Sequence, residues 1–130
     1  MSEQAKPRAG AITWCDLTVP DAPRLRDFYR EVVGWEPRSE PMGEYDDFSM
    51  LIPGTDDVVA GVCHARGPNV GLPPQWLIYI IVADVEAAAA RAVERGGEVV
   101  SGPRTMGGGS ICVIRDPAGA VCALFQAPTA

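Results

Sequence analysis

The sequence predicts an α+β fold of two βαβββ modules, with the strands joined in a curved mixed sheet around a shared cleft and the helices outside. Three observations predict it. A block recurs: Thr18-Val19-Pro20-Asp21, a helical stretch and Gly34 return as Ile81-Val82-Ala83-Asp84, a helical stretch and Gly97. Asp84 follows Asp21 by 63 residues, and Gly97 follows Gly34 by the same 63. Each helical stretch also has one strand-like segment before it and three after it. Finally, one such unit leaves a sheet face bare, whereas two can join their sheets and cover them with two helices. A ferredoxin-like order, with fewer strands between its helices, is the second choice. The expected bounds are a tail at 1–10 and one domain at 11–127, divided into module one (11–65), a linker (66–75) and module two (76–127).

The elements follow from local chemistry. Residues 11–19 alternate as a strand. Asp21 is a helix N-cap and Pro23 suits the first turn. Leu25, Phe28, Tyr29 and Val32 mark one helical face, and Gly34 stops the helix. Strands are expected from Trp35 to Arg38, Asp47 to Ile52 and Val58 to His64. A break rich in Gly and Pro spans 66–75. Trp76 to Val82 is the clearest strand. Asp84 caps a second, alanine-rich helix that ends at Gly96-Gly97. A short strand at 98–101, a flexible loop at 102–110 and strands at 111–114 and 121–125 complete the order. Asp116-Pro117-Ala118-Gly119 between the last two fits a type I turn.

Composition narrows the function. The chain has 130 residues, 47% of them apolar, and a net charge of −6. That length fits one domain. Negative charge without a basic run argues against nucleic acid and anionic membranes. No apolar run reaches the ~18 residues of a membrane span, and the polar start lacks the apolar core of a signal peptide. The expected location is the cytoplasm. Cys15, Cys63, Cys112 and Cys122 lie in apolar stretches with no Cys-x-x-Cys pair, and are expected as reduced thiols. Met106-Gly107-Gly108-Gly109 lacks the Gly-Lys-Ser/Thr of a phosphate loop. One histidine and no nucleophile elbow exclude a Ser-His-Asp set. Glu44, Asp46 and Asp47 read as solvated turn charges.

Val19-Pro20-Asp21, Phe28-Tyr29, Gly34-Trp35, Trp76, Val82-Ala83-Asp84, Gly96-Gly97 and Asp116-Pro117-Ala118-Gly119, in this order and spacing, resemble the glyoxalase, bleomycin-resistance and extradiol-dioxygenase group, the vicinal oxygen chelate superfamily. The resemblance covers residues 11–126. It implies the fold, a small-molecule ligand and a homodimer, and leaves the reaction open.

Metal-using members of that group take His, Glu or Gln ligands from both halves. The positions implied here are Trp14 and Leu77, each seven residues before the strand-end Asp, and Ala123, four residues after Gly119. Val62-Cys63-His64 resembles Val121-Cys122-Ala123, which puts His64 at the fourth. Trp, Leu and Ala offer a divalent ion no suitable lone pair, and a catalytic metal takes about three protein ligands. The expectation is therefore no metal and no cofactor. His64 reads either as a ligand contact or as a strand-end residue.

Strand alternation extends the implied cleft. With Trp14 go Asp16 and Thr18; with Leu77 go Tyr79 and Ile81. Trp14 and Tyr79 beside Asp16 form either an aromatic wall for a flat or cationic organic molecule or core packing in a vacated site. Asp16 is the candidate catalytic group, as a general base, or else a structural partner of a donor. The ligand-binding candidates are Trp14, Asp16, Leu77, Tyr79 and His64. The expected function is metal-independent binding of a small aromatic or cationic molecule, with sequestration of a drug or metabolite as its use. The alternative is a metal-dependent lyase, isomerase or dioxygenase of the same superfamily; a purely structural or regulatory role is the third reading.

Overall fold

The structure is a computed structural model that describes residues 8–128. Residues 1–7 of the expected tail lie outside the described residues; Arg8 closes a turn with Ala11, and the Gly10 N–H donates to the Ile81 carbonyl at 2.7 Å. The chain packs as two compact units, Trp14–Leu77 and a second formed by Ile78 onward with the described residues before Trp14.

The first unit holds most of β1 (Ile12–Val19), then α1 (Ala22–Val33), β2 (Glu36–Pro41), β3 (Asp46–Leu51) and β4 (Val58–His64). Its strands run in the order β2-β3-β4-β1. β1 and β4 are parallel and the other pairs antiparallel. Asp21 caps α1 by accepting from the Arg24 N–H at 3.2 Å, and Gly34 ends it at φ 90°, a conformation open to glycine. Leu17, Val19, Phe48, Met50, Ala60 and Val62 form the core on the α1 side of the sheet, where Ala22, Leu25 and Tyr29 of the helix meet them. The expected helical face is partly corrected. Leu25 and Tyr29 pack inward, but Phe28 is 52% and Val32 64% exposed. The inward stripe runs through Ala22, Leu25 and Tyr29, the 3- and 4-residue spacing of one helix face. Tyr29, Trp35 and Trp76 meet at ring separations of 5.2 to 5.9 Å, and Trp76 Nε1 donates to the Tyr29 hydroxyl at 3.1 Å.

The second unit takes most of β5 (Trp76–Ile81), then α2 (Val85–Glu94), β6 (Glu98–Met106), β7 (Gly109–Arg115) and β8 (Val121–Gln126), in the strand order β5-β8-β7-β6 with β5 and β8 parallel. Asp84 accepts from the Ala87 N–H at 3.0 Å, as the cap predicts. Asp116 Oδ1 accepts from the N–H groups of Ala118 and Ala120, which closes the Asp116–Gly119 turn. The expected loop at 102–110 is instead strand. β6 continues to Met106 through two register irregularities and turns at Gly107-Gly108 into β7. β6 is long enough to pair with β7 from Glu98 to Met106, and the glycines that read as loop signals serve bulge and turn. Val85, Ala89, Cys112 and Leu124 form the core beneath α2. The βαβββ order thus occurs twice, as the sequence predicts for a mixed-sheet α+β fold.

Candidate functional site

Trp14 and Asp16 point from β1 away from α1, because Leu17 and Val19, on the alternate positions of the strand, fill the core on the helix side. Trp14 Nε1 donates to Asp16 Oδ2 at 3.2 Å, and Asp16 is only 8% exposed. Asp16 stands opposite Gly61 of β4. A Cβ at Gly61 would lie 3.2 Å from Asp16 Cβ and 3.3 Å from Trp14 Cζ2, so the bare backbone there gives both side chains their room.

Cys63 follows on the same face of β4. Burial first, then the negative charges of Asp16 and Asp47 and a hydrogen bond to Asp47, push its thiol well above the ordinary cysteine range. Cys63 is therefore a proton-bearing donor between two carboxylates, not a thiolate nucleophile. Asp47 is buried, which corrects its reading as a solvated turn charge. It accepts from the backbone N–H of His64 at 2.8 Å and lies 3.2 Å from His64 Nδ1. Sequence reading missed the roles of Asp47, Gly61 and Cys63; only the pairing of strands sets Gly61 opposite Asp16 and brings Asp47 to Cys63 and His64. Farther out, Glu40 accepts from the Ser49 hydroxyl at 2.6 Å and from Arg38 at 3.0 Å, in that order the causes of a lowered carboxyl pKa.

The other sequence candidates are His64, Leu77 and Tyr79. His64 shares the α1 side of β4 with Val62, and its ring is 6.4 Å from Phe48, so it is not brought to the Trp14–Asp16 pair. Leu77, on β5, is 1% exposed. Tyr79, in the second unit, is 8% exposed and stands opposite Ala123 of β8. This register revises the place given to His64. Tyr79 is the repeat mate of Asp16, and their partners are Ala123 and Gly61. Gly61, not His64, is the counterpart of Ala123.

The residues at 11–124 match the family model of the Glyoxalase/Bleomycin resistance protein/Dioxygenase superfamily. The chain belongs to this superfamily. Among its relatives, the Putative glyoxylase CFP32 of Mycobacterium tuberculosis is 33% identical over 129 residues, covering 98% of this chain and 49% of that protein. The anthracycline biosynthesis protein DnrV of Streptomyces peucetius is 33% identical over 133 residues, covering 90% of this chain and 47% of that protein. The chain spans about half the length of the curated relatives it matches. Among solved structures, a variant of Streptomyces coelicolor methylmalonyl-CoA epimerase in complex with 2-nitronate-propionyl-CoA superposes with a TM-score of 0.55 at 20% identity, covering 92% of this chain and 96% of that one. A superfamily member from Vibrio splendidus 12B01 gives 0.56 at 16% identity, covering 88% and 97%. At these identities the structural likeness is one of fold.

The superfamily's metal-using members set a test for the residues present. The implied donor positions hold the indole of Trp14, the isobutyl group of Leu77 and the methyl of Ala123, and the register adds Gly61, which has no side chain. None of these is a ligand for a divalent ion. Among the described residues, no group of three or more His, Cys, Asp or Glu is placed to hold a metal. The donor set does not fit a metal of the superfamily type.

Proposed function

We propose that this superfamily member binds a small aromatic or cationic organic molecule without a metal, on the face of the first unit that carries Trp14 and Asp16. The observation that carries the reading is the Trp14–Asp16 pair. A fixed indole stands beside a largely buried carboxylate, with a backbone-only position opposite. An indole face attracts flat rings and cations, and the carboxylate adds a charge partner for an ammonium group. Two relatives named for anthracycline biosynthesis agree in kind, since anthracyclines combine a flat ring system with an amino sugar. Sequestration is the proposed use. A cytoplasmic location is part of the proposal and is supported by four free thiols. So is a homodimer, whose two copies would match the length of the relatives; light scattering tests it.

Isothermal titration with doxorubicin, a flat ring system bearing an amino sugar, tests the binding. Saturable binding that weakens by about 1 kcal/mol or more in Trp14→Ala, the scale of a cation–π contact, is the expected result. Asp16→Asn should weaken it as well. Equal binding by all three proteins, or none by the parent, counts against the proposal. Stoichiometric iron, manganese, nickel or zinc in protein purified without chelator would favour the metal-dependent alternative.

A further inference from the structure

The α1 side of β4 carries a group that the Trp14–Asp16 face does not use. His64 is the single histidine of the chain. Asp47 Oδ1 holds it twice, at the backbone N–H (2.8 Å) and at ring Nδ1 (3.2 Å). A carboxylate at Nδ1 makes that nitrogen the donor and leaves Nε2 as a lone-pair acceptor. Among the described residues Nε2 takes no hydrogen bond, yet no buried side-chain nitrogen or oxygen lacks a partner, so Nε2 reaches solvent. The ring is fixed edge-on against Tyr45 at 5.0 Å and tilted against Phe48 at 6.4 Å. Each of these two rings carries a guanidinium: Arg66 lies 4.3 Å from the Tyr45 centroid and Arg26 4.7 Å from that of Phe48. Arg26 is tied to Asp27, while among the described residues no carboxylate pairs with Arg66.

We infer that Asp47 and His64 form a base site for a small molecule with an acidic aromatic hydroxyl, a phenol. The phenol O–H bond breaks and its proton passes to Nε2; the bonding pair stays on oxygen as phenolate. Asp47 balances the imidazolium, and the Arg66 guanidinium, 4.3 Å from the centroid of the neighbouring Tyr45 ring, is the positive charge offered to the phenolate. Tyr45, half-buried beside the imidazole, supplies the aromatic contact for the ring. The imidazole is on the opposite face of β4 from Asp16; Asp47 also meets Cys63 of the Asp16 face, so the test changes His64 and Arg66 and leaves Asp47 in place.

Nitrogen-15 NMR of the full chain, with 4-nitrophenol as the probe, tests this. The expected result is the Nδ1–H tautomer in the free protein and a shift of the Nε2 resonance on adding 4-nitrophenol. His64→Gln should weaken binding about tenfold, or ~1.4 kcal/mol. Arg66→Gln lies outside β4 and covers the case in which Gln at position 64 does not fold; it should weaken binding about threefold, the scale of an exposed ion pair. A proton on Nε2 in the free protein overturns the inference. So does 4-nitrophenol binding that is absent from the parent or unchanged in the variants.

Discussion

Asp47 Oδ1 accepts the backbone N–H of His64 at 2.8 Å, so a side chain from the start of β3 completes the hydrogen bonding at the end of β4. Asp47→Ala removes the acceptor and leaves the end of the strand short of a partner. An unpaired buried donor costs about 1–3 kcal/mol. Urea unfolding of Asp47→Ala should show a loss in that range, with Asp47→Asn losing less because its amide oxygen can still accept.

Gly109 begins β7 where no side chain fits. A Cβ there would lie 2.4 Å from the Gln126 carbonyl oxygen and 2.7 Å from Phe125 Cζ. Backbone on one side and a packed ring on the other cannot both yield. Gly109→Ala should lower stability by about 3 kcal/mol, the upper range for overpacking, and differential scanning calorimetry would read it.

The two helix caps sit in different units. Asp21→Ala and Asp84→Ala each remove one acceptor for a first-turn N–H. Each should cost about 1 kcal/mol. Because the caps share no partner, the double variant should lose the sum within about 0.5 kcal/mol. Chemical denaturation of the three variants measures this.

All four thiols are raised above their ordinary value of 9.0, with burial the leading cause in each. The unfolded chain then releases thiol protons at a lower pH than the folded chain does. Stability from the neutral thiols is fully present below pH 9 and is lost as pH rises from there toward the folded values. Thermal unfolding should show a falling midpoint above about pH 9. The fall should be shallower in Cys63→Ser, because burial, two carboxylates and a hydrogen bond all act on that thiol.

Trp14, Leu77, Ala123 and Gly61 give a divalent ion nothing to bind. A chelator such as EDTA should therefore leave the unfolding temperature unchanged. A drop of several degrees would mean that a bound ion contributes to stability.

Much of the fold was legible because its signals are local. The 63-residue offset, the two aspartate caps and the Asp116 turn each depend on residues close in sequence or on simple repetition, and all are found as read. The misreadings have a common cause. Phe28 and Val32 have the right helical spacing, but spacing leaves the rotation of a helix over its sheet undefined. Gly102, Gly107 and Gly108 look like a loop, whereas the partner strand decides that they belong to a bulged hairpin. In the site, Trp14 and Asp16 share a face by simple alternation and were legible. Asp47 and Gly61 acquire meaning only through inter-strand register, which one chain read in order does not reveal. The same gap misplaced His64 by three residues against Ala123.

The empty side-chain position at Gly61 links two strands as a single volume. Trp14 can be large because residue 61 is nothing but backbone. The two positions should therefore drift together in evolution: wherever a homologue widens position 61, the ring at position 14 has to shrink. Their covariation would measure how tightly the backbone of one strand sets the size of a side chain on its neighbour.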